Sequence, residues 1–148
     1  MWLLAVLCAG TAALWVIRAR LVVVRVSGDS MNPTLVDGDL LLAVRRRSWR
    51  TGSLVVFRTE PGRGTSEPYM IKRVAAVAGQ AAPADLGGSP GKVVPRGALL
   101  VRGDAVRSLD SRKLGAVSEA AVVAVGVCAL VPFRWVTAEA AGAPRPQT

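Results

Sequence analysis

The sequence predicts a mostly β domain preceded by one N-terminal transmembrane helix. Trp2 to Ile17 is a run of sixteen residues without a charge. From Leu21 onward, short runs rich in valine and leucine alternate with turn residues such as Asp37-Gly38. This pattern is typical of short β-strands joined by turns. Apolar residues make up 51% of the 148 residues and the mean hydropathy is +0.39, which excludes a disordered chain.

The apolar run at the N-terminus predicts a membrane anchor over residues 1–18. As a helix it would be about 24 Å long, against a hydrocarbon core of about 30 Å. Trp2 and Trp15 suit the two membrane interfaces, and Arg18 and Arg20 mark the exit into water. A cleaved signal peptide is the alternative, but the run lacks a basic start and a small-x-small site before Arg18.

The strands predicted after the anchor form one domain over residues 21–136. They are the runs LVVVRV, DLLLAV, GSLVVF, YMIKRVAAV, KVV, ALLVRG and AAVVAVGVCALV. Residues 119–133 could instead form a second membrane helix, but their valines and Gly126 fit a buried strand better. Residues 138–148 are rich in Ala, Pro and Gly and predict a disordered tail.

Charge and residue usage narrow the possible functions. The net charge of +9 suits nucleic acid, an anionic membrane or an acidic substrate, and the RRRSWR stretch, Arg45 to Arg50, is interpreted as a solvated hairpin that touches lipid rather than nucleic acid. The chain has no histidine, which excludes Ser-His-Asp and Cys-His catalysis and the common zinc motifs. Two cysteines in apolar surroundings, predicted to be buried thiols, build no metal site, and no cofactor is expected.

Ser30, in the turn VSGDSMNPTL, is the candidate nucleophile, and without histidine its base must be a carboxylate or a lysine. Of the three lysines only Lys72, in YMIKRVAAVA, lies among strand formers. A lysine has a pKa of about 10.4 and cannot accept a proton at neutral pH, but burial lowers that pKa by up to about 3–5. Taken alone, the stretch favours a strand lysine that reaches water over a buried base.

Four segments in the same order resemble the boxes of type I signal peptidases, the membrane-bound Ser-Lys proteases. SGDSMNPTL is similar to the nucleophile box, TGSLVVF to a Gly-Asp-hydrophobic strand with Ser53 in place of Asp, and IKRVAAVAG to the Lys-Arg-Val box. GDAVRSLDSRKLG, from Gly103 to Gly115, is similar to the closing Gly-Asp-Asn…Ser-x-Asp-Ser-Arg box. The resemblance implies a signal-peptidase/LexA-like β-rich catalytic domain, without the large accessory domain of some members.

The resemblance also implies roles for single residues. Ser30 would be the nucleophile, Lys72 the general base and Ser108 the hydroxyl that orients the lysine amine. Gly28 and Ser30 would supply backbone to the oxyanion hole. Met31 and Pro33 would shape the turn and the substrate groove, while the bracing residues would be Arg73, Asp110 and Arg112.

The function implied is a membrane-anchored serine endopeptidase that cleaves leader or signal peptides from a precursor polypeptide. Two alternatives stay open: a dedicated single-client maturation protease of the nickel superoxide dismutase or modified-peptide leader type, and a non-catalytic basic membrane adaptor. The expected partners are the precursor and membrane lipid, with no nucleic acid. The expected location is the cell membrane, single-pass, with the catalytic domain extracytoplasmic by resemblance, although the arginines after the anchor favour the cytoplasmic side.

Overall fold

The computed structural model describes residues 2–59, 68–86, 92–131 and 133–136. Helix α1 (Trp2–Arg20) runs directly into strand β1 (Leu21–Arg25), so the apolar N-terminal run is helical as predicted. Among the described residues, no helix has the length and apolar character needed to cross a membrane, and the predicted anchor is therefore not confirmed.

The rest of the described chain is mostly β, as predicted. Besides β1, the strands are β2 (Leu40–Val44), β3 (Leu54–Arg58), β4 (Tyr69–Val77), β5 (Ala98–Arg102), β6 (Val117–Ser118), β7 (Val122–Leu130) and β8 (Phe133–Trp135). The non-strand elements are helix α2 (Ser111–Leu114) and the 3-10 helices Ala84–Leu86 and Glu119–Ala121.

The strands form one antiparallel sheet in the order β1-β2-β7-β3-β4-β5-β6, with β8 paired to β7. β1 therefore lies at one edge, paired only with β2 among the described strands. β4 pairs with β3 along Tyr69–Arg73 and with β5 only from Arg73 onward. Its first residues, Tyr69 to Lys72, thus have one free edge within the described sheet.

Buried apolar side chains on the strands and on the turn after β1 form the hydrophobic core. One cluster, which includes Met31, Leu35 and Leu41, lies under the turn that follows β1. A second, which includes Val55, Val74 and Val101, lies under β3, β4 and β5. Burial of such side chains stabilises the fold by about 1.5–3 kcal/mol each, and the two clusters hold the start of β4 and the turn after β1 in fixed positions.

Several predictions about elements were wrong or incomplete. The run KVV forms no strand: Val93 makes a single bridge to Ala81, because Pro95 lacks the N–H that would continue a ladder. Cys8, predicted to be buried, is exposed on α1, whereas Cys128 is buried; both are free. Residues 119–133 contain strand β7, as preferred over a second helix. The predicted tail lies outside the described residues.

Candidate active site

Ser30 lies in the turn that follows β1. Met31 and Leu35, which are 1% and 0% exposed, anchor this turn in the core, and the N–H of Leu35 donates to the carbonyl of Met31 at 2.9 Å. The N–H of Ala105 donates to the carbonyl of Ser30 at 3.1 Å, so a second loop holds the same residue. The Ser30 backbone is thereby fixed from both sides while its side chain is half-buried.

Lys72 lies in β4, directly opposite Val55 of β3. It shares the buried face of the strand with Val74, and it is only 1% exposed although it ends in an amine. Its Nζ lies 2.5 Å from the Oγ of Ser30, across 42 residues of sequence. The predicted nucleophile and its predicted base, Ser30 and Lys72, are thus in hydrogen-bond contact.

The surroundings of Lys72 favour its neutral form. Burial lowers the pKa of the Lys72 amine from 10.5 to about 8, while the negative charges of Asp110 and Asp104 act in the opposite direction. At pH 7 most molecules therefore still carry the ammonium group, and about a tenth carry a neutral amine that can accept a proton. This is the property that a lysine general base requires.

Ser108 approaches the site but does not make the predicted contact. Its Oγ is buried and has no hydrogen-bond partner among the described residues, so the expected hydrogen bond with the Lys72 amine is not formed. Gly103 packs against it: a Cβ added to Gly103 would lie 1.8 Å from the Ser108 Oγ and 2.7 Å from the Ser30 carbonyl oxygen. Glycine at position 103 is what lets Ser108 and Ser30 come this close.

Asp110 and Arg112 form the predicted ion pair. The fully buried carboxylate of Asp110 accepts from the Arg112 guanidinium at 2.9 and 2.8 Å, and from the backbone N–H of Gly103 at 3.2 Å. Burial alone would raise the pKa of Asp110, but the hydrogen bonds from Arg112 and Gly103 outweigh it and hold the pKa below its ordinary value. Asp110 also accepts from the Arg112 N–H and caps α2, which fixes the loop that carries Ser108.

Arg73 connects three segments around the site. Its guanidinium donates to both carboxylate oxygens of Asp104, at 2.9 and 2.6 Å. It also donates to the carbonyl of Gly52 at 2.9 Å and to the hydroxyl of Thr34 at 3.2 Å. Sequence reasoning selected Arg73 but missed Asp104 and Thr34; the Gly-Asp dipeptide at 103–104 was the available signal for Asp104.

Gly28 and Ser30, the two residues predicted to supply the oxyanion hole, differ in whether their backbone N–H groups are available. The backbone N–H of Gly28 donates to the carboxylate of Asp37 at 2.7 Å and is therefore already engaged. Gly28 has a φ of 80°, a conformation that favours glycine. Of the two residues, Ser30 is the better donor for an oxyanion.

A cleft of about 250 Å³ opens beside the Ser30–Lys72 pair. Its walls are the end of β1 with the following turn on one side and the first residues of β4 on the other, and apolar side chains such as Val24, Met31 and Ile71 line it. Met31 takes the predicted place in the groove, but Pro33 is exposed and does not line the cleft. β1 and the first residues of β4, which flank the cleft, each have a free edge within the described sheet.

Comparison with known proteins places the chain in a family. The model of the family described as signal peptidase, peptidase S26, matches residues 1–85, a segment that contains both Ser30 and Lys72. No curated protein matches the chain significantly. Since the match covers more than half of the 148 residues, the chain belongs to the signal peptidase family, peptidase S26.

Proposed function

We propose that the protein is a membrane-anchored serine endopeptidase that removes leader or signal peptides from precursor polypeptides by a Ser-Lys mechanism. Family membership supports a signal-peptidase-like protease in general terms. The observation that carries the finer proposal is the 2.5 Å contact between Ser30 Oγ and the buried Nζ of Lys72. A solvent-exposed, fully charged lysine at the same place would not support this mechanism, because such a lysine could not accept a proton.

The reaction proceeds through an acyl-enzyme. The Ser30 hydroxyl gives its proton to the neutral Lys72 amine as its oxygen attacks the carbonyl carbon of the scissile bond. The backbone N–H of Ser30 stabilises the negative oxygen of the tetrahedral intermediate. Lys72 then returns the proton to the leaving amine. A water molecule, activated in the same way, hydrolyses the ester and restores Ser30.

The shape of the cleft supports a substrate bound as an added strand. The peptide would lie between the free edges of β1 and β4, with alternate side chains directed into the apolar cleft. A cleft of this size accommodates small side chains such as Ala at the first and third positions before the cut. Ser30, Lys72 and the scissile carbonyl then meet at one end of it.

Membrane placement is part of the proposal and has its own test. Helix α1 leaves large apolar side chains uncovered, among them Trp2 at 83% and Trp15 at 74% exposure, and lipid would cover them. The family resemblance favours an extracytoplasmic catalytic domain, while the arginines after α1 favour a cytoplasmic one, which would fit a single dedicated client. A reporter that is active on only one side of the membrane, fused after Thr148, distinguishes the two orientations.

Cleavage of a precursor peptide with an Ala-x-Ala site, analysed by mass spectrometry, tests the chemistry. The wild-type chain is expected to cut at one bond, and Ser30→Ala and Lys72→Met to lose the activity by at least about a thousandfold. The matched controls are Ser27→Ala, at an exposed serine of the same cleft, and Lys113→Met, at an exposed lysine; both are expected to stay active. Activity in a folded Ser30→Ala variant would refute the mechanism.

A further inference from the structure

Three exposed arginines, Arg18, Arg20 and Arg45, lie where α1 meets the sheet, and three more follow in the loop after β2. Arg18 and Arg20 lie in the last turn of the helix. The N–H of Arg45 donates to the carbonyl of Arg20 at 2.7 Å, which brings the loop after β2 against the end of the helix. We call this set the arginine collar. Its members are Arg18, Arg20, Arg45, Arg46, Arg47 and Arg50.

The loop that carries part of the collar is held in place. Trp49 is half-buried against the second core cluster. The N–H of Arg50 donates to the Ser53 hydroxyl at 3.1 Å, and the N–H of Ser53 returns a bond to the carbonyl of Arg50 at 3.0 Å. Trp49 therefore fixes the backbone while the neighbouring guanidinium groups stay in solvent.

The collar has no internal counter-charge in the described part of the chain. Ion pairs between described residues use Arg73, Arg102 and Arg112 instead. Arginines that follow one another in the chain and meet the end of α1 repel each other, and this repulsion is relieved when an anionic partner approaches. The six arginines of the collar are a large part of the positive charge, since the whole protein has a formal net charge of only +9.

We propose that the arginine collar binds the anionic headgroups of a lipid bilayer. The argument is the order of surfaces along the molecule: a helix with exposed apolar side chains, such as Leu7 at 63% and Leu14 at 57%, ends where the collar begins. An apolar segment followed at once by a basic ring matches a bilayer, whose apolar interior is bounded by phosphates. A nucleic acid would match the charge but would leave the apolar helix uncovered.

The collar also sets where the site lies. Its members Arg20 and Arg45 lie beside the beginning of β1, next to Leu21, whereas Ser30 follows the other end of the strand. The four steps from Leu21 to Arg25 span about 13 Å. The cleft therefore lies a strand's length from the headgroup layer, where an extended leader can enter it.

The proposal rests on the proposed membrane placement and not on the peptidase chemistry. Its test is flotation of the full chain with vesicles of phosphatidylcholine alone and with vesicles in which a third of the lipid is phosphatidylglycerol. The compared variants are Arg46→Gln/Arg47→Gln and the control Arg96→Gln/Arg107→Gln, which removes two exposed arginines outside the collar. Both variants lower the net charge equally.

The wild-type protein is expected to bind the anionic vesicles more strongly than the neutral ones. The partition coefficient of the collar variant on anionic vesicles is expected to be about 30-fold lower, at about fivefold per arginine. The control is expected to lose less than threefold, about half of one arginine's full effect. Arg46→Lys/Arg47→Lys keeps the charge and is expected to retain the preference, which separates charge from folding. High salt is expected to remove the preference of the wild-type protein for anionic vesicles, since the screening length falls from about 10 Å to about 3 Å between 0.1 and 1 M.

Three results would overturn the proposal. Equal binding to both vesicle types would assign attachment to the apolar helix alone. An equal loss in both double variants would reduce the effect to net charge. Collar-dependent binding to random-sequence duplex DNA without a preference for anionic vesicles would make the collar a nucleic-acid surface. Cleavage of the precursor peptide in detergent is expected to be unchanged in the collar variant, so the failure of this proposal and the failure of the proposed activity are distinguishable.

Discussion

Arg73 and Asp104 are joined by two hydrogen bonds, of 2.9 and 2.6 Å, one residue away from the buried Lys72. Both side chains are largely covered, with exposures of 13% and 15%. The pair ties the β4 strand to the loop that carries Ser108, and Arg73 extends the tie to Thr34 in the nucleophile turn. The geometry of Ser30 and Lys72 therefore depends on a residue pair that does no chemistry.

Breaking this pair is expected to destabilise the protein. Arg73→Gln and Asp104→Asn should each lower the free energy of unfolding by about 2–4 kcal/mol, because each leaves a mostly buried charge without its partner. The double variant should lose less than the sum of the single losses. Denaturant unfolding measures this. Arg102→Gln is the matched control, since its pair with Asp85 is 44% and 59% exposed and should contribute less than about 1 kcal/mol.

Replacement of Gly103 by alanine is expected to disrupt the site. The added Cβ would clash with Ser108 and with the Ser30 carbonyl, at 1.8 and 2.7 Å, so one loop must move. Cleavage should fall by at least about a hundredfold, as expected for misplacement of reacting groups by about 1 Å. Gly10→Ala, with open space around its Cβ, is the control. A Gly103→Ala variant with normal activity would show that the Ser108 loop does not position Ser30.

The pKa of Lys72 predicts the pH dependence of cleavage. The rate constant kcat/KM should rise with pH and level off above about 8, because only the neutral amine accepts the Ser30 proton. Asp104→Asn should move this limb to lower pH, since the Asp104 charge raises the pKa. A flat profile between pH 6 and 9, or a shift to higher pH in that variant, would contradict the assignment of the base.

The same titration predicts how stability depends on pH. The folded protein releases the Lys72 proton near pH 8, while the unfolded chain holds it to about 10.5. In this window the unfolded state binds more protons, so the free energy of unfolding rises with pH, by at most about 3 kcal/mol. Below pH 8 both states are protonated and the cost of the buried charge is fully present.

Lys72→Met should remove that cost. At pH 7 the free energy of unfolding of the variant is expected to be about 1–3 kcal/mol higher than that of the wild type. The variant should also lack the rise in this free energy between pH 8 and 10.5. Lys113→Met, at an exposed lysine, should change stability by less than about 0.5 kcal/mol. A destabilised Lys72→Met variant would mean that the amine is held by favourable bonds rather than tolerated.

Sequence patterns were sufficient to predict the long strands and the contact between Ser30 and Lys72. β4 and β7 combine β-branched residues with turns at their ends. The search for a base in a chain without histidine made Lys72 the candidate, and the resemblance to the Lys-Arg-Val box selected it. β6 and β8 were missed because two or three residues are too short to show a period. Asp104 was missed because its partner Arg73 is 31 residues away, a separation that no local pattern encodes.

Residue type alone could not determine two details of the site. The hydrogen bond expected between Ser108 and Lys72 depends on the position of the loop that carries Ser108, and the structure leaves the Ser108 Oγ without a partner among the described residues. The engagement of the Gly28 N–H by Asp37 depends on how the turn closes over nine residues. Both depend on tertiary geometry rather than on the motif.

Detection of an acyl-enzyme on Ser30 would test the proposed Ser-Lys mechanism most directly. Rapid mixing with the precursor peptide, acid quench and peptide mapping by mass spectrometry locate any residue that carries the N-terminal fragment as an ester. We expect one ester, on Ser30, in the wild type, and none in Lys72→Met. Continued cleavage with no ester on Ser30, or an ester on another residue, would contradict the account.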